Sequence, residues 1–220
     1  MNPGLNSLRL LYGGTFDPVH AGHLAVACAA RDAFNTEVRF LPAADPPHRS
    51  PPGASAEQRA RMIELAIAGE PGLVLDCREL RRPGPSYSVD TLREFRRELG
   101  QGAPLAWLVG ADAFGGLASW HDWRELFELA HIVVAERAGR AVVDLEEPLR
   151  SACAGRWVAV PSVLSERPAG GLYRLRNVLH PASATGSREA LGAGHADPGW
   201  LAPAVAAYID ENGLYRPSRL

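Results

Sequence analysis

The sequence predicts an α/β fold with a doubly wound, mostly parallel sheet and a small helical segment toward its C-terminal end. Three observations point there. Short apolar runs of strand length alternate with longer segments patterned at helical spacing, the order expected of βαβ units. A Gly-Gly turn separates the first apolar run from the first helical segment. The chemically suggestive residues fall just after predicted strands, at the carboxyl ends where such sheets bind ligands.

Residues 8–12 read as a buried first strand, and the apolar run 24–30 as the helix after it. Residues 37–41 alternate as a second strand, followed by a loop over 42–52 with five prolines. Ser55 and Gln58 form a capping-box start for a helix carrying Met62, Ile63, Leu65, Ala66 and Ile67. A third strand is expected over 73–77. A helix then starts at Ser88 or Asp90, runs through Leu92, Phe95 and Leu99, and stops at Gly100. The fourth strand is 105–109, a helix covers 123–129, and the fifth strand is 131–135. Between 138 and 170 the pattern yields one weak helix, 145–154, and one short strand, 157–160. Residues 172–178 read as a strand, Ser183-Ala184-Thr185 cap a helix over 187–191, and a last helix over about 204–211 stops at Asn212-Gly213. The expectation is one domain over 1–220, its core at about 8–136 and its C-terminal helices within 172–216.

Composition narrows the function. A chain of 220 residues can bury a full core without disulfides or metal. A net charge of −2 gives no global basic footprint, so no nucleic-acid partner is expected. Three scattered cysteines, Cys28, Cys77 and Cys153, read as reduced thiols of a cytosolic protein. No apolar run reaches about 18 residues, and residues 1–6 lack signal-peptide character, so a cytoplasmic protein without a membrane partner is expected. All 23 basic residues are arginine. That excludes a Walker A lysine, a Schiff-base lysine and a pyridoxal phosphate anchor. Phosphate chemistry here falls to Arg, His, backbone N–H groups and metal ions.

The most specific stretch is Gly13-Gly14-Thr15-Phe16-Asp17-Pro18-Val19-His20-Ala21-Gly22-His23, between the first strand and first helix. Glycines let a backbone approach an anion, and a helix N-terminus offers free N–H groups and a positive dipole end. His20 and His23, three residues apart, share one side of the first helical turn. An ordinary turn and two surface histidines are the bland reading. A zinc site is the other, and it lacks further ligands at suitable spacing.

These residues closely resemble the first signature of the HxGH nucleotidyltransferases, and their wording resembles the bacterial nicotinate-nucleotide adenylyltransferase family. The resemblance covers residues 8–216, most weakly over 138–170. It implies a Rossmann-like nucleotidyltransferase fold and adenylyl transfer from ATP to nicotinate mononucleotide, giving deamido-NAD and pyrophosphate. His20, His23 and Arg188 would be catalytic, with Gly13, Gly14, Thr15 and Phe16 at the phosphates. Pro46-Pro47-His48-Arg49 resembles a loop closing over phosphate, through His48 and Arg49. Pro85-Ser86-Tyr87-Ser88 resembles the segment lining the pyridine-nucleotide pocket, with Ser88 in place of the commoner Thr. Gly110-Ala111-Asp112 resembles a ribose-contacting Gly-x-Asp, Trp120 a stacking plate beside His121, and Arg137 a basic residue near the nucleotide. Ser183-Ala184-Thr185-Gly186-Ser187-Arg188 resembles the second signature, aiming Ser183, Thr185 and Arg188 at the triphosphate. Ala182 replaces the usual Ile there, and Gly186-Ser187 stand where bulkier residues are common. The resemblance further implies magnesium carried with ATP, no protein metal site, and a monomer or homodimer. A nicotinamide-mononucleotide sibling and a non-catalytic nucleotide-binding regulator remain as alternatives.

Overall fold

A computed structural model describes residues 7–46, 52–136, 145–176, 180–195 and 199–216. The strands are β1 (Arg9–Gly14), β2 (Val38–Pro42), β3 (Leu73–Leu75), β4 (Leu105–Gly110), β5 (His131–Ala135), β6 (Trp157–Val158) and β7 (Leu172–Leu175). The helices are α1 (Ala21–Phe34), α2 (Ala56–Ile67), α3 (Arg78–Arg81), α4 (Ser88–Leu99), α5 (Ala111–Gly115), α6 (Leu126–Leu129), α7 (Leu149–Cys153), α8 (Ala184–Gly192) and α9 (Pro203–Glu211).

The strands form one sheet in the order β3-β2-β1-β4-β5-β7-β6, and every pairing is parallel. The chain steps outward from β1 to β3, then returns to place β4 beside β1. That reversal makes the β1/β4 boundary the topological switch point, where the crevice of an open α/β sheet opens.

Alternation along the strands divides the core in two. Leu10 and Tyr12 of β1 face one side, packing with Val26 and Ala27 of α1, Met62 and Ile63 of α2, and Val205 and Ile209 of α9. Leu11 faces the other side, with Trp107 and Val109 of β4, Leu92 and Phe95 of α4, Phe114 of α5 and Leu126 of α6. Fully burying each such side chain contributes roughly 1.5–3 kcal/mol. The sheet is thus covered on both faces, and its free surface for chemistry is the carboxyl edge.

The Rossmann-like doubly wound fold is as expected, and the element bounds shift in places. Ser55 caps α2 and Gln58 completes the box. Ser183 caps α8, accepting from the Gly186 amide, and Gly100 ends α4. The helix expected over 123–129 is α-helical only at Leu126–Leu129, after a run of turns. The weak helix of 145–154 contracts to Leu149–Cys153, and the strand of 157–160 to two residues before a 3-10 turn, Pro161–Ser165. The strand expected over 172–178 is Leu172–Leu175, and residues 177–179 lie outside the described ones. The short helices α3 and α5 carry no pattern in the sequence. Four or five residues cannot display a helical period.

Candidate active site

β1 ends on Gly13-Gly14, and each glycine has a steric reason. A Cβ on Gly13 would overlap the Trp107 indole from β4, and one on Gly14 would come within 2.9 Å of the Phe16 ring. Phe16 takes a left-handed backbone, φ 51°, and turns its ring inward onto Tyr12 and Phe40, with centroids 5.3 and 5.4 Å away. The chain then reaches His20, which caps α1 in extended geometry. The His20 amide donates to His23 Nδ1 at 3.3 Å, and the two rings stack with centroids 3.7 Å apart. The His23 ring also meets Phe16 edge-on at 5.0 Å. The histidine pair is therefore held by its own backbone and by the aromatic floor under Gly14.

Gly22, between the histidines, carries a further constraint. A Cβ there would lie 3.0 Å from the His20 ring and 3.1 Å from the carbonyl of Ala182. That carbonyl belongs to the segment leading into α8, so the first and second signatures abut. Gly186 also has its reason: a Cβ there would approach the Trp200 ring to 2.7 Å, and the Trp200 carbonyl accepts from the Ala21 amide. The small residue at 186 matches a tryptophan placed over the start of α1.

Arg188 reaches across from α8. Its Nη1 donates to the main-chain carbonyl of Asp17 at 2.6 Å and lies 3.9 Å from the Asp17 carboxylate, while Nη2 donates to Thr185 Oγ1 at 3.4 Å. Beneath the same loop lies Arg59, 1% exposed, donating to the carbonyls of Ala54, Thr15 and Ala44 at 3.3, 2.7 and 3.2 Å. Burial holds its pKa below the usual arginine value, against the favourable charge of Asp17. Arg59 joins three segments of the site rim: the first signature, the loop after β2, and the lead-in to α2.

These elements frame a cavity of about 890 Å³ lined by Gly13, Gly14, Thr15, Phe16, His20, His23, Gly110, Asp112, Ser183, Thr185 and Arg188. A second cavity, about 280 Å³, shares the Gly13–Thr15, Gly110 and Asp112 wall and continues to Ser86, Tyr87, Ser88, Trp120 and His121. The two meet at the switch point, over the ends of β1 and β4. Sixteen of the nineteen site residues expected from sequence line one or both. The other three, His48, Arg49 and Arg137, lie outside the described residues.

In the smaller cavity Tyr87 and His121 stack with centroids 4.3 Å apart. The N-terminus of α4, at Ser88, faces the same space. Ser86 Oγ accepts from the amides of Ala44 and Asp45 at 2.9 and 3.3 Å, which ties this wall to the loop after β2. Glu79 is a further residue of this cavity that no sequence pattern marks. It is 3% exposed, lines this cavity, and accepts from Thr91 Oγ1 at 2.6 Å. Burial raises its pKa to about 7, against the lowering effect of the Thr91 bond and the Arg82 charge. A glutamate among charged neighbours in a short helix gives no sequence signal for burial. No arginine is among the described residues lining the smaller cavity. Also among the described residues, no group of three or more His, Cys, Asp and Glu could hold a metal ion, and no helix is long and apolar enough to cross a membrane.

A parallel sheet with a histidine pair and two signatures converging at its switch point defines a cytidylyltransferase-like protein, and the family model of that description matches residues 11–178. A Stenotrophomonas maltophilia (strain K279a) protein named "Probable nicotinate-nucleotide adenylyltransferase" is 56% identical over 218 residues, 96% of this chain and 97% of that one. A protein of the same name from Cronobacter sakazakii (strain ATCC BAA-894) is 42% identical over 219 residues, 99% of this chain and all of the other. The chain belongs to the nicotinate-nucleotide adenylyltransferase family. Among solved structures, Plasmodium falciparum nicotinic acid mononucleotide adenylyltransferase complexed with NaAD superposes with a TM-score of 0.70 at 17% identity, covering 95% of this chain and 97% of that one. At that identity the likeness is one of fold.

Proposed function

We propose that this chain transfers the adenylyl group of ATP to nicotinate mononucleotide in NAD biosynthesis. A phosphate oxygen of the mononucleotide attacks the α-phosphorus of ATP, the bond from that phosphorus to the bridging oxygen breaks, and pyrophosphate leaves. The product is nicotinate adenine dinucleotide. The attacking phosphate is already ionised, so the reaction needs positioning and charge neutralisation rather than a general base. The observation that carries the reading is the pair of cavities joined at Gly13–Thr15, one rimmed by His20, His23 and Arg188, the other by Ser88, Trp120 and His121.

In this reading the two histidines face the α-phosphate, and Gly13, Gly14 and Thr15 hold phosphate from the sheet side. Ser183, Thr185 and Arg188 orient the triphosphate at the N-terminus of α8. Asp112 and Gly110, on the shared wall, meet a ribose. Trp120 stacks on the pyridine ring. The N-terminus of α4 offers amides to the ring's carboxylate, and a helix N-terminus favours an anion. Magnesium enters bound to ATP and neutralises part of the phosphate charge. The reading includes a single domain over the chain and a cytoplasmic location, which the three unpaired cysteines support.

The experiment is direct. Purified protein with ATP, magnesium and nicotinate mononucleotide should release one pyrophosphate per dinucleotide formed, both followed by mass spectrometry. ATP consumption without dinucleotide would contradict the assignment.

A further inference from the structure

We propose that Tyr215, in the C-terminal tail, is a positioning residue for ATP: its hydroxyl occupies the Asp17 carboxylate and so leaves Arg188 available for the triphosphate. The inference rests on the role given to Arg188 above. The tail lies beyond the residues matched by the family model.

After α9 the chain turns back, and Tyr215 sits in the left-handed region at φ 61°. Its hydroxyl donates to Asp17 Oδ1 at 2.7 Å. Its ring covers Gly53, where a Cβ would come within 2.9 Å. The Asp17 carboxylate also accepts from the amide of Gly53 at 2.8 Å, through Oδ2, and from that of Ala54 at 3.2 Å, through Oδ1. Among the described residues, the hydrogen bonds of this carboxylate come from Tyr215, Gly53 and Ala54 and none comes from Arg188. The arginine stays 3.9 Å from Oδ2, beyond hydrogen-bond distance, although it bonds the main-chain carbonyl of the same residue. Arg59, a second cation near Asp17, faces the carbonyls of Thr15, Ala44 and Ala54.

Without the tyrosine hydroxyl, Oδ1 would keep, among the described residues, only the longer Ala54 bond. A buried carboxylate short of a donor takes the nearest one, and a close Arg–carboxylate pair is among the strong interactions of proteins. Arg188 would then be drawn onto Asp17, in competition with ATP phosphate. Burial and the bond to Asp17 push the Tyr215 pKa well above the ordinary value, so the hydroxyl remains a donor at any working pH.

The test is the calorimetric affinity for ATP with magnesium in the wild type, Y215F, D17N and the double variant, with thermal melting of each. Y215F should bind ATP on the order of 10-fold more weakly, the effect of one lost charge-assisted bond. Its KM for the pyridine nucleotide should stay within about twofold of wild type, since the smaller cavity is untouched. In the D17N background, Tyr215→Phe should cost nothing further, because the competing charge is gone. Equal ATP affinity in wild type and Y215F overturns the proposal. So does a loss that persists undiminished in D17N, which would make the tail a matter of folding alone. If Y215F does not fold, D17N alone decides: ATP affinity equal to or above wild type supports the proposal, and weaker binding overturns it. Calorimetry reads ATP binding without turnover, so an inactive wild type would contradict the functional reading and leave this test standing.

Discussion

At the residue scale, the side chains of the candidate site hold one another and rest on neighbours that are given no chemical role. His20 and His23 stack on each other, and His23 rests on Phe16. On the proposed reading, replacing either histidine by alanine removes a group that faces phosphate. We expect kcat to fall about 100-fold or more, with a smaller change in ATP binding. Steady-state kinetics at saturating substrates check this, and near-normal kcat in both variants would remove the histidines from the mechanism. Most of these side chains were marked in the sequence by the resemblance that their local patterns carry: two signatures, a Ser-Tyr-Ser turn, a Gly-x-Asp. Asp17, Arg59 and Glu79 were legible only as residues, not as partners. Arg59 meets Thr15 from 44 positions away and Asp17 meets Tyr215 across 198, separations at which no spacing rule speaks.

At the scale of elements, the β1-loop-α1 unit is set by sterics as much as by anion binding. From sequence, the Gly13-Gly14 pair reads as a backbone approach to phosphate or as an ordinary turn. The structure adds a steric reason: Trp107 and Phe16 fill the space where side chains would stand. Gly13→Ala should then destabilise by about 1–3 kcal/mol through overpacking. Gly110→Ala is the control, because a Cβ there meets nothing within 4 Å and the backbone is ordinary. Urea unfolding midpoints of the two variants should separate clearly. Equal midpoints would mean that the Trp107 contact relaxes without cost. The strands and long helices were legible because their periods run for several residues and their caps are chemically explicit, as at Ser55 and Ser183. Short α3 and α5 and the trimmed segment 145–158 were not, since tertiary packing, such as α3 on β2 and α5 on β4 and β5, rather than local pattern decides them.

At the scale of the whole molecule, the candidate site lies at the carboxyl edge of the sheet, and a buried histidine lies at the other. His131 opens β5 at the amino edge, wholly buried. Its Nε2–H donates to the Arg167 carbonyl at 2.8 Å, and its Nδ1 accepts from the Gly171 amide at 2.9 Å. Protonating Nδ1 would set two donors against each other. Burial holds the pKa below its ordinary value, aided by the charges of Arg167 and Arg96. A histidine depressed in the folded state binds its proton first in the unfolded chain. Its contribution is complete above the unfolded value of about 6.5 and is lost as pH falls below it. Glu79 acts oppositely, because its raised folded pKa lowers stability as pH rises from about 4.5 toward 7. The histidine is isolated by comparison with His131→Asn. Wild type should lose on the order of 1 kcal/mol more than the variant between pH 7.5 and 5.5. Parallel pH profiles of unfolding would show that His131 titrates normally.

In the proposed reading, the joined cavities carry out adenylyl transfer to the acid form of the pyridine nucleotide. The smaller cavity offers the N-terminus of α4 and, among its described residues, no arginine. Backbone donors suit a carboxylate, which only accepts, whereas a carboxamide turned toward them leaves donors unpaired at roughly 1–3 kcal/mol each. The most direct measurement is kcat/KM for nicotinate mononucleotide against nicotinamide mononucleotide at the same ATP and magnesium concentrations, read as pyrophosphate release. The acid should be preferred about 10-fold or more. Equal values, or a preference for the amide, would contradict it.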